Sequence, residues 1–195
     1  MCTVIKPLKN SGLSFVELII ALTIASILIA LGIPAFVKWT QDTAIHSQAE
    51  QIQAAIMATR SYAVTRNERV KLQFTENTGL ATWRIGCVRV SANCPEIIES
   101  KSYSENNPIR IGVMTSDKNA DINTPIGIGA GLPAEISYGA QGAALNQIID
   151  NEITRIDVMY KKSATAQRLV IKIEMSGEVT ICNPNIKNKN TGSYQ

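Results

Sequence analysis

The sequence predicts an α+β protein with one long N-terminal helix packed on an antiparallel β-sheet domain. The first half of the helix is expected to span a membrane and the second half to be amphipathic. Three patterns along the 195 residues support this class. An uncharged apolar run comes first, an apolar stripe with helical spacing follows, and alternating apolar and polar residues come after both.

The first element is an apolar run that is long enough to cross a bilayer. No charged residue occurs from Leu18 to Val37, a run of 20 residues that Lys38 closes. At 1.5 Å per residue, this helix would span about 30 Å, the thickness of the hydrocarbon core. The run is too long for a cleaved secretory signal, whose apolar region has about 7–15 residues. A signal anchor that holds an unrelated domain fits the length equally well.

Glu17 lies directly before this run and helps to decide between the alternatives. A carboxylate at the edge of a membrane span usually faces protein rather than lipid, so Glu17 needs a positive partner. Cleavage after Gly12 would create a free amine on Leu13 and leave Glu17 as the fifth residue of the processed chain. The alternative is a Glu17 side chain that extends to the lipid headgroups.

This N-terminal segment resembles a type IV prepilin. It has a short leader with Lys6 and Lys9, a glycine before the cleavage point, a glutamate at the fifth mature position and Pro34 at the twenty-second. Two positions depart from the family pattern. The first mature residue is Leu13, where Phe or Met is usual, and the fourteenth is Ser26, where glycine is frequent.

The resemblance implies a processing and assembly pathway. Residues 1–12 would be a leader that a prepilin peptidase removes after Gly12, with N-methylation of Leu13. Residues 13–37 would form the transmembrane and filament-core helix, and Glu17 would pair with the N-terminus of a neighbouring pilin subunit. Because the leader lysines keep the N-terminus cytoplasmic, the C-terminal domain would lie in the periplasm. The protein would cross the cell inner membrane once.

The helix is expected to continue through residues 38–66, where an apolar stripe lies on one face. Polar residues such as Gln48 are expected on the other faces. Pro34 removes one backbone hydrogen bond and predicts a kink, and Asn67 predicts the end of the helix. His46 has no ligand-type neighbours, and we interpret it as a solvated side chain. The stripe consists of Ile45, Ala49, Ile52, Ile56 and Ala63.

Residues 67–182 are predicted to form the β-sheet domain, because the apolar period changes from 3.6 to 2 after the helix. Residues 115–134 are rich in Gly, Asn and Asp and predict a long surface loop. Residues 183–195 predict a polar tail. The predicted strands cover residues 70–74, 83–88, 109–114, 154–160, 168–175 and 178–182.

Three cysteines remain if Cys2 is lost with the leader. Cys87 and Cys94 are seven residues apart in a compartment that favours disulfides, so a bridge between them is the first candidate. Cys182 would then be free, or it would be the alternative partner of one of the two. A zinc site is not expected with three thiols and one distant histidine, and we interpret the cysteines as structural.

A second resemblance concerns the end of the helix. Residues 58–70, ATRSYAVTRNERV, resemble the helix-end signature of the GspH/FimT group, although Tyr62 replaces its acidic residue. Trp83 and Gly86 resemble the following W-G strand, and residues 170–179 resemble the closing strands. The resemblance implies a minor subunit near a filament tip or in an initiating complex. The matching signature residues are Arg60, Ala63, Asn67, Arg69 and Val70.

Some members of that group bind DNA in natural transformation through a closing turn of the form GRxR. The matching turn here starts with Gly177 and Glu178, with an acid in place of the first arginine. The net charge is +3, and it falls to about +1 without Lys6 and Lys9, since Lys+Arg drops from 19 to 17 against 16 Asp+Glu. DNA binding relies on clustered cations, so it is the less favoured alternative. The basic residues that would form a face for it are Arg155, Lys161, Lys162, Arg168 and Lys172.

The motifs also argue against an enzyme. His46 is the single histidine, and no G-x-S-x-G, H-E-x-x-H or P-loop pattern occurs. The glycine-rich residues 127–131 do not lead into a helix, so we interpret them as a loop rather than a phosphate site. The sequence therefore predicts a non-catalytic filament subunit, without cofactor or metal. It would belong to a type II secretion pseudopilus or a type IV pilus.

Overall fold

A computed structural model of the chain describes residues 14–115, 121–145, 153–162, 167–174 and 176–186. Within these residues, one helix, α1 (Phe15–Arg66), precedes eight strands. The predicted α+β class, a long N-terminal helix followed by antiparallel strands, is confirmed. The strands are β1 (Val70–Phe74), β2 (Trp83–Cys87), β3 (Glu99–Lys101), β4 (Ile109–Thr115), β5 (Ala134–Tyr138), β6 (Ile153–Tyr160), β7 (Leu169–Ile173) and β8 (Val179–Cys182).

The chain divides into two compact units, Met1–Trp39 and Thr40–Gln195. In the first unit, the described residues after Ser14 belong to α1, and their large apolar side chains are exposed. The second unit contains the rest of α1 and all eight described strands. The predicted leader, with Gly12 and Leu13, lies outside the described residues, as do residues 187–195 of the predicted tail.

The described strands form two four-stranded sheets, where the strand patterns predict one. The first sheet has the order β3-β2-β1-β5 and the second has the order β4-β6-β7-β8, with antiparallel pairs throughout. The prediction missed β3 and β5. Since all three residues of β3 are exposed, no burial alternation marks this strand in the sequence. In contrast, β5 does alternate, with Ala134, Ile136 and Tyr138 buried.

The second half of α1 contributes one side of the core. All five residues of the predicted apolar stripe are fully buried. Gln48 is buried as well, contrary to its predicted place on a polar face, and its Nε2 donates to Tyr103 Oη at 3.1 Å. Thr59 is also buried and donates to the carbonyl of Ala55 at 2.7 Å, so both polar groups are satisfied. His46 is exposed, as expected.

The helix ends where Asn67 takes a left-handed conformation, with φ of 52°. Asparagine tolerates this region better than most residues because its short side chain bonds locally. The amide of Glu68 then donates to the carbonyl of Ala63 at 3.2 Å, which closes the last turn. The helix-end sequence therefore turns the chain from α1 into β1, which starts at Val70.

Candidate functional site

The first candidate site is the apolar part of α1 in the first unit. By length and composition, α1 contains a segment that is able to cross a membrane. The hydroxyls of Thr23 and Ser26 each donate at 2.8 Å to a carbonyl three residues earlier, so the helix satisfies them internally. That matters in hydrocarbon, where no water is available as a partner. Pro34 lies inside α1, which continues beyond it to Arg66.

Glu17 lies in the first turn of this helix. It is the single charged residue from Ser14 to Val37, and its side chain is exposed. A carboxylate is favourable there because the first backbone N–H groups of a helix lack helical partners and carry partial positive charge. Burial of the same carboxylate among apolar helices requires a cation beside it.

The second sheet contains a buried group of three charged side chains, here called the Arg–Asp cluster: Arg155, Asp157 and Arg168. Asp157 is fully buried, and its Oδ1 lies 2.7 Å from Arg155 Nε. The Arg168 guanidinium also binds Asp157. Residues two apart on a strand share a face, which places Arg155 and Asp157 together on β6. Arg168 reaches the cluster from the residue before β7, the neighbour of β6.

The Arg–Asp cluster fastens part of the predicted surface loop to the sheet. Arg155 donates to three backbone carbonyls within residues 121–124 at 2.8–3.2 Å. Arg168 donates to two of the carbonyls in the same segment at 2.6 and 3.2 Å. In return, the amide of Ile126 donates to Asp157 Oδ2 at 3.0 Å. Both arginines therefore act as structural cations inside the fold.

This arrangement removes two residues from the predicted basic face. Arg155 is 5% exposed, and the side chain of Arg168 is 15% exposed. Their positive charge faces Asp157 and loop carbonyls, so neither is available to a phosphate backbone. The sequence analysis missed Asp157, although an Arg-x-Asp pair inside an otherwise apolar strand was a visible signal. The predicted residues that stay exposed are Lys161, Lys162 and Lys172.

A disulfide joins Cys87 to Cys94, with a Cα–Cα distance of 5.6 Å. Cys182, the alternative partner, is a buried free thiol. The chain after Cys94 returns beside β2, where the amide of Ile98 donates to the carbonyl of Ile85 at 2.8 Å. Among the described residues, no group of three His, Cys, Asp or Glu side chains is placed to hold a metal ion.

Another candidate is an open groove of about 750 Å³ between α1 and the β7–β8 turn, here called the helix–turn groove. Both walls belong to the second unit. The sequence analysis matched this turn to a DNA-binding turn, and Glu178 places a carboxylate on the groove wall. The lining residues are Met57, Arg60, Ser61, Val64 and Thr65 on α1, and Ser176, Gly177, Glu178 and Val179 at the turn.

The ring of Tyr138 lies next to Gly177 in the β7–β8 turn. A Cβ atom built on Gly177 would lie 3.1 Å from Cε1 of the Tyr138 ring and 3.7 Å from Arg60 Cζ. Burial raises the pKa of Tyr138 to about 12, although the nearby positive charge of Arg60 opposes the shift. The Tyr138 hydroxyl is therefore neutral in the folded protein at physiological pH.

The chain is similar to one known protein family and to solved structures of minor pilins. The model of a family described as type II transport protein GspH matches residues 48–177 of this chain. A crystal structure of the type IV minor pilin FimU from Pseudomonas aeruginosa is similar, with a TM-score of 0.51 and 13% identity. The similarity covers 77% of this chain and 97% of FimU. No curated protein sequence matches the chain.

Two further structures are similar at lower scores. A second crystal form of FimU gives a TM-score of 0.45 at 15% identity, over 74% of this chain and 97% of FimU. The minor pseudopilin EpsH from the type 2 secretion system of Vibrio cholerae gives 0.45 at 8% identity, over 71% of this chain and 95% of EpsH. The match to FimU at a TM-score of 0.51 shows a common fold.

Proposed function

The chain belongs to the GspH family of type IV pilin-like proteins, and we propose that it is a minor subunit of a type II secretion pseudopilus or a type IV pilus. It supports protein secretion or pilus biogenesis as a structural component rather than as an enzyme. One observation carries the proposal: a GspH-like domain follows an exposed apolar helix in which Glu17 is the only charge before Lys38.

Processing prepares the subunit for assembly. A prepilin peptidase removes residues 1–12 by cleavage after Gly12 and N-methylates Leu13. The support for this step is the spacing in the sequence, with a glycine before the cleavage point and Glu17 five residues after it. Until assembly, the apolar part of α1 holds the protein in the inner membrane, with the second unit in the periplasm.

Assembly transfers the apolar part of α1 from lipid into a bundle of like helices. This transfer keeps the exposed apolar side chains out of water, and helix packing replaces the contacts with lipid. Glu17 enters the bundle as a carboxylate and pairs with the free N-terminal amine of a neighbour. Because an unpaired buried charge is strongly unfavourable, this pair sets the axial register of the subunits.

DNA capture is not the function that we propose. Arg155 and Arg168 are bound to Asp157, and Glu178 occupies the turn that carries arginine in DNA-binding relatives. The three exposed lysines of the predicted face are a small number of charges for a surface that must neutralise several phosphates. A position near the filament tip accords with membership of a minor-subunit family.

The proposal is tested by replacing Glu17 in cells that hold the native machinery. We expect Glu17→Ala and Glu17→Gln to be processed normally, because cleavage precedes assembly. Incorporation into sheared filaments should be lost, because the neighbour's amine is left without its carboxylate. The measurement is an immunoblot of sheared filaments against the membrane fraction.

Glu50→Ala is the matched control, since Glu50 is an exposed glutamate on the second half of α1. It should enter filaments at the normal level. Normal incorporation of Glu17→Ala would contradict the register role. Deletion of the whole gene then distinguishes the two kinds of filament. Loss of protein secretion indicates a pseudopilus, and loss of surface pili indicates a type IV pilus.

A further inference from the structure

We propose that the helix–turn groove is a docking site for a partner polypeptide that presents an acidic side chain beside an apolar one. The groove lies entirely within the second unit, between residues 57–65 of α1 and residues 176–179. The proposal rests on the geometry of this unit and does not depend on the N-terminal processing of the chain.

The helix wall of the groove contains exposed large apolar side chains, which the rest of the second-unit part of α1 lacks. Met57 is 60% exposed and Val64 is 51% exposed, and both line the groove. They are the large apolar side chains that the second-unit part of α1 leaves highly exposed. Residues seven apart lie on the same face of a helix, so the two form one surface. Exposed apolar side chains grouped in a groove are typical of an interaction site.

Arg60 lies between these two residues, and its guanidinium occupies a gap between two glycine turns. A Cβ atom on Gly142 would lie 3.2 Å from Arg60 Nε, and one on Gly177 would lie 3.7 Å from Arg60 Cζ. Both glycines have positive φ, 73° and 79°, so other residues would be strained there. The backbone of both turns therefore leaves room for the guanidinium.

Arg60 has no acidic partner in the described part of the chain. The ion pairs there join Lys71 to Glu135, and Arg155 and Arg168 to Asp157. Glu178 lines the same groove and forms no ion pair with Arg60. The exposed Arg60 guanidinium lies beside apolar side chains, and its donors are open to an incoming carboxylate, which an arginine binds through two parallel hydrogen bonds.

Tyr138 lies near Arg60 but does not line the groove. The residue is fully buried, and its hydroxyl finds no hydrogen-bond partner among the described residues. A buried hydroxyl without a partner costs about 1–3 kcal/mol relative to a satisfied one. Because the hydroxyl is neutral, it provides no negative charge that would compete with a ligand for Arg60. The positive charge of Arg60 therefore favours an acceptor over a cation.

Glu178 and the apolar wall favour a polypeptide over a nucleic acid. A phosphate chain that follows the groove would bring repeated negative charges towards the Glu178 carboxylate, which is unfavourable. Met57 and Val64 also offer nothing to a phosphate backbone. A peptide instead presents one carboxylate for Arg60 and one apolar side chain for the wall, and a groove of about 750 Å³ is large enough for a few side chains.

The test uses the full-length protein in detergent micelles, with isotope labels on the arginine and tyrosine side chains for NMR. The probes are two tripeptides, acetyl-Leu-Asp-Leu-amide and acetyl-Leu-Asn-Leu-amide, together with inorganic phosphate and a short single-stranded DNA. We expect the Asp peptide to shift the Arg60 and Tyr138 signals in a saturable way. Its affinity should be about tenfold higher than that of the Asn peptide, because only the carboxylate forms a charged pair.

In Arg60→Gln, the ratio of the affinity for the Asp peptide to that for the Asn peptide should fall to about one, while the remaining signals keep their positions. Arg89→Gln is the matched control, since Arg89 is an exposed arginine outside the groove, and it should retain the preference. Equal affinity for the two peptides, or no shift with either, would overturn the proposal. Stronger binding of phosphate or DNA than of the Asp peptide at the same signals would overturn it as well. No other pilin is present, so failure of filament assembly would not affect the result.

Discussion

At the scale of single residues, Asp157 has the clearest structural role. Its carboxylate binds two guanidinium groups at full burial and fixes residues 121–126 to the second sheet. The charges themselves are visible in the sequence, and a basic face was predicted from them. The Arg-x-Asp pair was visible as well, but its burial was not predictable, because that depends on a loop about 30 residues earlier that folds across the strand.

Asp157→Asn removes the negative charge and leaves the buried Arg155 and the partly buried Arg168 without a countercharge. We expect the free energy of unfolding to fall by about 3–5 kcal/mol, the usual cost of breaking a buried ion pair. Chemical denaturation of the full chain in detergent measures the change. Glu135→Gln, which breaks the partly exposed Lys71–Glu135 pair at 3.5 Å, is the control and should cost less than about 1 kcal/mol. A loss for Asp157→Asn as small as in the control would contradict the role of the cluster.

Tyr138 predicts a decline of stability at high pH. Its folded pKa of about 12 lies above the usual value of 10.0. Above pH 10 the unfolded chain therefore releases a proton that the folded chain retains, so stability falls as pH rises towards 12. At most about 3 kcal/mol is involved for two pKa units.

Tyr138→Phe removes both this titration and the unpartnered hydroxyl. We expect the variant to be at least as stable as the wild type at neutral pH, because no buried hydroxyl is left unsatisfied. Between pH 10 and pH 12, the difference in the free energy of unfolding should grow in favour of Tyr138→Phe. Denaturation curves across this pH range measure the difference, and parallel curves for the two proteins would exclude the assigned role of Tyr138.

At the scale of elements, apolar period predicted α1 and six of the seven described strands that have buried residues, all except β5. Every residue of the predicted helical stripe is buried. The strand β3 was missed because it is exposed and is held by pairing with β2 rather than by burial. The strand β5 was missed because its alternation follows a loop rich in glycine, and its partner β1 lies more than 60 residues earlier. Long-range pairing of this kind is weakly encoded in local sequence.

Gly86 on β2 lies in close contact with the backbone of the segment that follows the strand. A Cβ atom there would lie 1.7 Å from the carbonyl oxygen of Glu96, in the segment that follows the Cys87–Cys94 disulfide. The contact is with backbone, so this segment has to move to admit a side chain. We therefore expect Gly86→Ala to cost about 1–3 kcal/mol in the free energy of unfolding.

Gly127→Ala is the matched control for this substitution. Gly127 is exposed, and the nearest contact of a Cβ atom there is Ala130 Cβ at 3.8 Å, an ordinary packing distance. Its stability should stay within about 0.5 kcal/mol of the wild type. Thermal and chemical denaturation of both variants measure the effects, and a Gly86→Ala protein as stable as the control would show that the loop contact is dispensable.

At the scale of the whole molecule, the sequence combines a membrane-competent helix with a domain of the GspH family. The family was predictable because its helix-end signature is a local sequence that forms the turn at Asn67, which leads from α1 into β1. The helix–turn groove was not predictable, because it joins residues of α1 to a turn more than 100 positions later in the chain. Neither Arg60 nor Glu178 identifies the groove without this tertiary contact.

The central claim is that the chain is processed and assembled as a pilin-like subunit. Intact mass together with N-terminal sequencing, on protein isolated from its native inner membrane, tests this most directly. Processing by a prepilin peptidase predicts a chain that begins at Leu13 and carries one added methyl group. A chain that still begins at Met1, in cells with an active prepilin peptidase, would contradict it and would indicate a membrane-anchored domain outside the filament.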